Sequence, residues 1–112
     1  MARVFIPQEP RVRNDRNEWV PMFDLNPART MGELVTLQPA GPLPIAPQQI
    51  IRDLRNKLKD FCDEDFILPV GNPALIAMVG AVAADVNMGN IQLMYWDPRE
   101  KKYYVIKVNT RR

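Results

Sequence analysis

A chain of 112 residues can build one domain around one core, and an apolar share of 46% argues against wholesale disorder. The sequence has no histidine and no serine, which excludes Ser-His-Asp and Cys-His catalysis; its lone cysteine, Cys62, cannot form an internal disulfide and argues against a zinc or other soft-metal site. Net charge is +2 but uneven: within residues 99–112, Arg99, Lys101, Lys102, Lys107, Arg111 and Arg112 face Glu100 alone, a net +5 that leaves the other 98 residues at −3.

In chain order, Arg3 to Gln8 carries the β-formers Val4, Phe5 and Ile6, and Pro7 is expected to stop this strand or confine it to an edge. Residues 9–31 are apolar without helical period at Trp19, Val20, Met22, Phe23 and Leu25, with turn signals at Asn14-Asp15 and Asn26-Pro27. This reads as an extended arm, docking its aromatics on its own domain or on a neighbouring subunit. Gly32 to Gln38 is a second strand. Four prolines then fall within Pro39 to Pro47, a stretch that can be neither helix nor central strand, with Leu43 and Ile45 to bury.

Pro47 to Phe61 predicts an amphipathic helix, with Ile50, Ile51, Leu54, Leu58 and Phe61 on one face and an Asp53–Lys57 pair on the other. Asp60, Asp63, Glu64 and Asp65 follow as an acidic knot, read as a solvated turn rather than a cation site. Phe66 to Val70 is a short strand that Pro69 bulges or ends. Asn72 reads as the N-cap and Pro73 as the first residue of a helix to about Val86 that is apolar nearly all round, and therefore expected to be sheltered on most sides. Residues 90–96 and 102–108 predict a hairpin about the Asp97-Pro98-Arg99-Glu100 turn, followed by a basic tail to Arg112. The start of the chain lacks signal-peptide anatomy, and its longest apolar run is too short to span a bilayer, so a soluble protein kept inside a cell, away from membranes, is expected.

Three candidate surfaces emerge. Gly71 and Asn72 join a strand to a helix N-terminus, where a nucleotide or phosphometabolite could find N–H groups, although no phosphate-loop pattern is present; Trp96, Asp97 and Arg99 on the hairpin turn could extend such a ligand site. Lys101, Lys102, Tyr103, Tyr104 and Lys107 interleave cations with aromatics, a composition that suits single-stranded nucleic acid. Ala77, Gly80, Ala81 and Ala84 form a small-residue stripe that would let another backbone approach, as at a subunit interface. No cofactor and no metal is implied. No residue spacing asks for an enzyme, and the reading leans to a non-catalytic role.

The run Leu68-Pro69-Val70-Gly71-Asn72-Pro73-Ala74, the alanine-rich helix after it, and Gln92-Leu93-Met94-Tyr95-Trp96-Asp97-Pro98-Arg99 together form a pattern that resembles short uncharacterised open reading frames of tailed bacteriophages. The likeness covers roughly residues 48–108, with a weaker echo at Arg3 to Pro10. It implies a phage origin, with a place in the host cytoplasm or in the virion, and lends no catalytic residue.

The expected fold is therefore α/β, a small two-layer or three-layer domain with a β-α-β-α-β-β core. A short, mostly parallel sheet ends in an antiparallel hairpin, residues 1–46 form an extended proline-rich segment with two short strands, and residues 47–112 form the compact core. The strand at 33–38, the helix at 47–61 and the strand at 66–70 read as a β-α-β unit, expected to be parallel and right-handed. The expected role is a small phage binding or assembly protein, self-associating or bound to another phage or host protein. A nucleotide binder at Gly71-Asn72 and a single-strand binder along the hairpin are the alternatives.

Overall fold

The computed structural model describes residues 2–9, 11–22, 24–44 and 46–111. Phe23, Ile45 and Arg112, expected to add apolar burial and tail charge, lie outside the described residues. The elements in order are β1 (Arg3–Gln8), β2 (Arg11–Arg13), β3 (Trp19–Pro21), α1 (Asn26–Arg29), β4 (Glu33–Gln38), α2 (Pro47–Lys57), β5 (Phe66–Ile67), α3 (Pro73–Val86), β6 (Asn90–Asp97) and β7 (Lys102–Asn109). Five strands make one sheet in the order β4-β1-β5-β6-β7, parallel throughout except that β7 runs antiparallel to β6. The protein is thus mixed α/β with a mostly parallel sheet and a C-terminal hairpin.

Period-two alternation sorts the sheet's side chains into two cores. Phe5, Leu37, Ile67 and Ile91 meet Ile50, Leu54 and Leu58 of the α2 region and Leu75, Val79, Val82 and Ala83 of α3. On the opposite face Val4, Ile6, Leu68 and Met94 pack with Ala28 of α1, and Leu25, Met31 and Tyr103 close over them. The two larger helices therefore share one face, and a thin irregular cover seals the other.

Four expectations need correction. Pro7 does not end β1 or confine it to an edge: β1 is an interior strand of the sheet, between β4 and β5. Arg3 and Phe5 turn backbone groups toward the β5 side, where Arg3 N–H donates to Asp65 and Phe5 O accepts from Leu68 N–H. By the same alternation, an N–H at position 7 would face Leu68 O. That carbonyl instead accepts from Val70 N–H at 2.8 Å, so the proline leaves no orphan acceptor. Secondly, β4 and β5 are parallel but not neighbours, because β1 lies between them; the α2 crossover passes over a strand made earlier in the chain. Thirdly, α2 stops at Lys57, and Leu58 and Phe61 reach the core from the turn beyond it. Fourthly, α3 is not sheltered all round: Ala74, Ala77, Ala81 and Asp85 form one solvent-facing stripe. Two helices on one face leave that flank uncovered, and alanine is small enough to be exposed there at little cost.

The acidic knot is not a uniformly solvated turn. Asp65 is buried, at 1% exposure. Its Oδ1 accepts the Arg3 backbone N–H, and its Oδ2 accepts both the Arg3 guanidinium and the Cys62 N–H, each at 3.0 Å. Burial pushes its pKa up, but the Arg3 side chain and the two backbone donors outweigh that and hold the carboxyl below its usual range. Asp65→Ala strands these donors at the start of the central strand. We expect a loss of about 3 kcal/mol in urea unfolding, at the low end for a broken buried pair because Arg3 keeps partial access to water. Because the folded-state pKa is depressed, the contribution of Asp65 is complete above the unfolded value of about 3.9 and disappears as pH falls through the folded value. The stability of Asp65→Asn should therefore vary less than that of the native chain from about pH 4 downward.

Candidate functional site

The carboxyl ends of β1, β4, β5 and β6 lie at one end of the sheet, where parallel α/β sheets usually take ligands. Gln8, buried at the end of β1, organises this region. Its Nε2 donates to Pro39 O and Gly41 O, both at 2.9 Å, and its Oε1 accepts Asn72 N–H at 3.2 Å. One amide thus ties the central strand to the proline-rich connector and to the entry of α3. Beside it lies a cleft of about 910 Å³, lined by Gln8, Arg11, Trp19, Gly71 and the connector. Trp19 projects from the β2–β3 arm at 59% exposure with the Arg13 guanidinium 5.0 Å from its ring centre. The arm therefore does not bury this aromatic on its own domain; Leu25 and Ala28 beyond it do the docking.

Gly71 and Asn72 sit on this cleft's side of the fold, but the α3 N-terminus is already supplied with acceptors. Asn72 Oδ1 accepts Ala74 N–H and Leu75 N–H, Asn72 O accepts Ile76 N–H, Asn72 N–H is held by Gln8, and Pro73 has no N–H. A phosphate there would have to displace these bonds. Gly71 takes φ +115°, and a Cβ at this position would stand 2.7 Å from Gln8 Cβ and Gln8 O. The residue is required by the close approach of two backbones.

The hairpin tip lies at the same end of the sheet. Asp97 Oδ1 accepts Arg99 N–H at 2.8 Å and Glu100 N–H at 3.3 Å, so this carboxylate shapes its own turn. Lys101 closes the turn in the left-handed region, φ +53°. Trp96 meets Tyr103 edge-on at 4.9 Å on one face, and Tyr95 stacks on Tyr104 at 5.5 Å on the other. Lys102 Nζ lies 5.0 Å from the Tyr104 ring centre. Burial raises the Tyr103 pKa, and the nearby Asp24 adds to the rise. Arg99, Lys101 and Lys107 are exposed. Among the described residues, none of these four cations has a carboxylate partner.

The small-residue stripe of α3 divides. Ala84 is buried, Gly80 is half-buried, and Ala77 and Ala81 are exposed. With Ile91, Thr110 and Arg111 they line a shallow groove of about 390 Å³ beside the base of the hairpin. Further along that face of the sheet, Tyr95 and Ile106 are each 47% exposed. Among the described residues no group of His, Cys, Asp and Glu side chains could hold a metal ion, and no helix is long and apolar enough to cross a membrane.

Sequence reasoning missed Gln8, whose only signal was a polar residue ending an apolar strand. It also missed the β2–β3 arm, although Val12, Trp19 and Val20 flank an Asn14-Asp15 turn in which Asn14 Oδ1 accepts two backbone N–H groups.

The chain matches the family described as Phage Pam3 gp32-like protein over residues 2–110, and it belongs to that family. No curated protein and no solved structure matches it.

Gly71→Ala should lower unfolding free energy by about 2–3 kcal/mol, since it combines a left-handed backbone with a clash against Gln8. Asn72→Ala should cost only the cap, about 1 kcal/mol. Urea titration of the two variants measures the difference, and equal losses would contradict the tight approach at Gly71.

Proposed function

We propose that this phage-type chain is a non-catalytic interaction protein that works inside a larger assembly, as a homo-oligomer or beside other proteins. The observation that carries the reading is the uncovered part of the sheet. Two helices shelter β1, β4, β5 and the base of β6 on one face, while the hairpin runs out past them with Tyr95 and Ile106 exposed on that face and Trp96 and Val105 on the other, all at least 36% exposed. Large apolar side chains clustered on one element of a small protein mark a contact surface more often than scattered ones do. The exposed stripe of α3 adjoins this region, and its short side chains let a second backbone come close.

For self-association, the favoured surface is the α3 flank at Ala77, Gly80 and Ala81, with the neighbouring groove. A nucleotide at Gly71-Asn72 is the weaker reading, because the first-turn N–H groups of α3 already have acceptors within the chain.

Size-exclusion chromatography with light scattering tests self-association. The native chain should show a mass above its 12.9 kDa that rises with concentration. Ala81→Arg, on the exposed stripe and one helical turn before Asp85, should return it to a single chain with its melting temperature changed by no more than about 4 °C. A native chain that stays monomeric at millimolar concentration overturns self-association.

A further inference from the structure

We infer that the free edge of β7 takes up an extended, acidic peptide segment of a partner protein, added to the sheet as a sixth strand. This rests on the reading of the chain as an interaction protein and supplies the chemistry of its partner.

The backbone provides the template. Thr110 N–H donates to Gly89 O at 2.8 Å, directly opposite it in the register that pairs Asn90 with Asn109. Bonded and non-bonded pairs alternate along an antiparallel ladder. Lys102, Tyr104, Ile106 and Val108 therefore turn their N–H and C=O groups to β6, and Tyr103, Val105, Lys107 and Asn109 turn theirs outward. No other strand pairs with β7 among the described residues. The strand runs eight residues without a proline, and its register with β6 is uninterrupted. Long edges of this kind usually carry a proline, a bulge or a covering loop, and here only lysines guard the edge.

The side chains select the occupant. Val105 and Ile106 are exposed on opposite faces, so an incoming strand meets an apolar side chain on each. Lys102 and Lys107 also lie on opposite faces, and with Arg99 and Lys101 they form a cationic strip with no carboxylate partner among the described residues. A second copy brought to this edge would set two such strips side by side, an unfavourable like-charge contact. Single-stranded nucleic acid would find the strip but not open stacking platforms: Tyr95 and Tyr104 stack on each other, Lys102 lies over Tyr104, and Trp96 meets Tyr103. It would also leave the outward backbone groups unused. An extended peptide with acidic side chains satisfies both the backbone edge and the charge, which is strand addition.

The test uses the whole chain and the octapeptide Val-Glu-Val-Thr-Val-Thr-Glu-Val, blocked at both ends. Its glutamates have the spacing of Lys102 and Lys107. Amide exchange followed by NMR should slow at Tyr103, Val105, Lys107 and Asn109 when the peptide is added, with little change at Tyr104 and Ile106, which are already bonded to β6. The same peptide with lysine in place of glutamate should bind about tenfold more weakly at low salt. The double variant Lys102→Glu with Lys107→Glu should reverse that preference. Val105→Pro removes one outward N–H and leaves the β6 ladder intact, so it should abolish uptake while circular dichroism stays native. If it unfolds the chain, the charge-reversal pair still decides the matter. The inference is overturned if the alternate amides gain no protection at millimolar peptide, if both peptides bind equally, or if oligothymidylate binds and the acidic peptide does not. Ala81→Arg should leave peptide uptake unchanged, so failure of self-association and failure of strand addition are read separately.

Discussion

The fold depends on how its first strand is held. β1 is made at the start of the chain yet lies between β4 and β5, and every partner it needs arrives later. At its entry Asp65 grips the Arg3 backbone and guanidinium together, 62 residues away in sequence. At its exit Gln8 grips the connector and the start of α3. Between these two polar clamps Val4, Phe5 and Ile6 are fully buried, two facing one core and one the other. Hydrophobic burial supplies most of the stabilisation but is indifferent to register; the clamps specify it. A one-residue slip of β1 would exchange the two cores and leave a buried carboxylate without its Arg3 donors, a large cost in a low-dielectric interior.

Much of this was legible in the residues. Asn72-Pro73 marked the first turn of α3, the hairpin strands followed from their aromatic and β-branched content, and Asp53–Lys57 forms the expected pair at 3.0 Å. What could not be read has a common cause. The roles of Asp65, Gln8 and Pro7 are fixed by partners more than 30 residues distant, and local pattern carries no information about such pairings. Strand order was hidden for the same reason: adjacency in sequence suggested β4 beside β5, while the free edges of β1 drew both to it.

The α3 helix departs from its sequence pattern for a different reason. A lack of polar residues predicts shelter from solvent, but Ala74, Ala77 and Ala81 are apolar in type while offering little surface. Leu75, Val79 and Val82 carry the packing, all on one side. Side-chain size, more than polarity, distinguished the two flanks. For the candidate surfaces, sequence located the cations and aromatics of the hairpin correctly. It could not show that the aromatic rings would engage one another, or that Asp97 would be occupied with its own turn.

The interior place of β1 bears on how the protein is born. As the chain leaves a ribosome, Val4, Phe5 and Ile6 emerge before the strands that flank them and must wait. One neighbour, β4, appears within about thirty residues, but β5, Asp65 and the helix that roofs Phe5 come only after more than half the polypeptide has been released. Contacts of such long range make for slow folding. Until those later segments arrive, β1 is an apolar strand without its sheet, and the Asp65 clamp can close only with them.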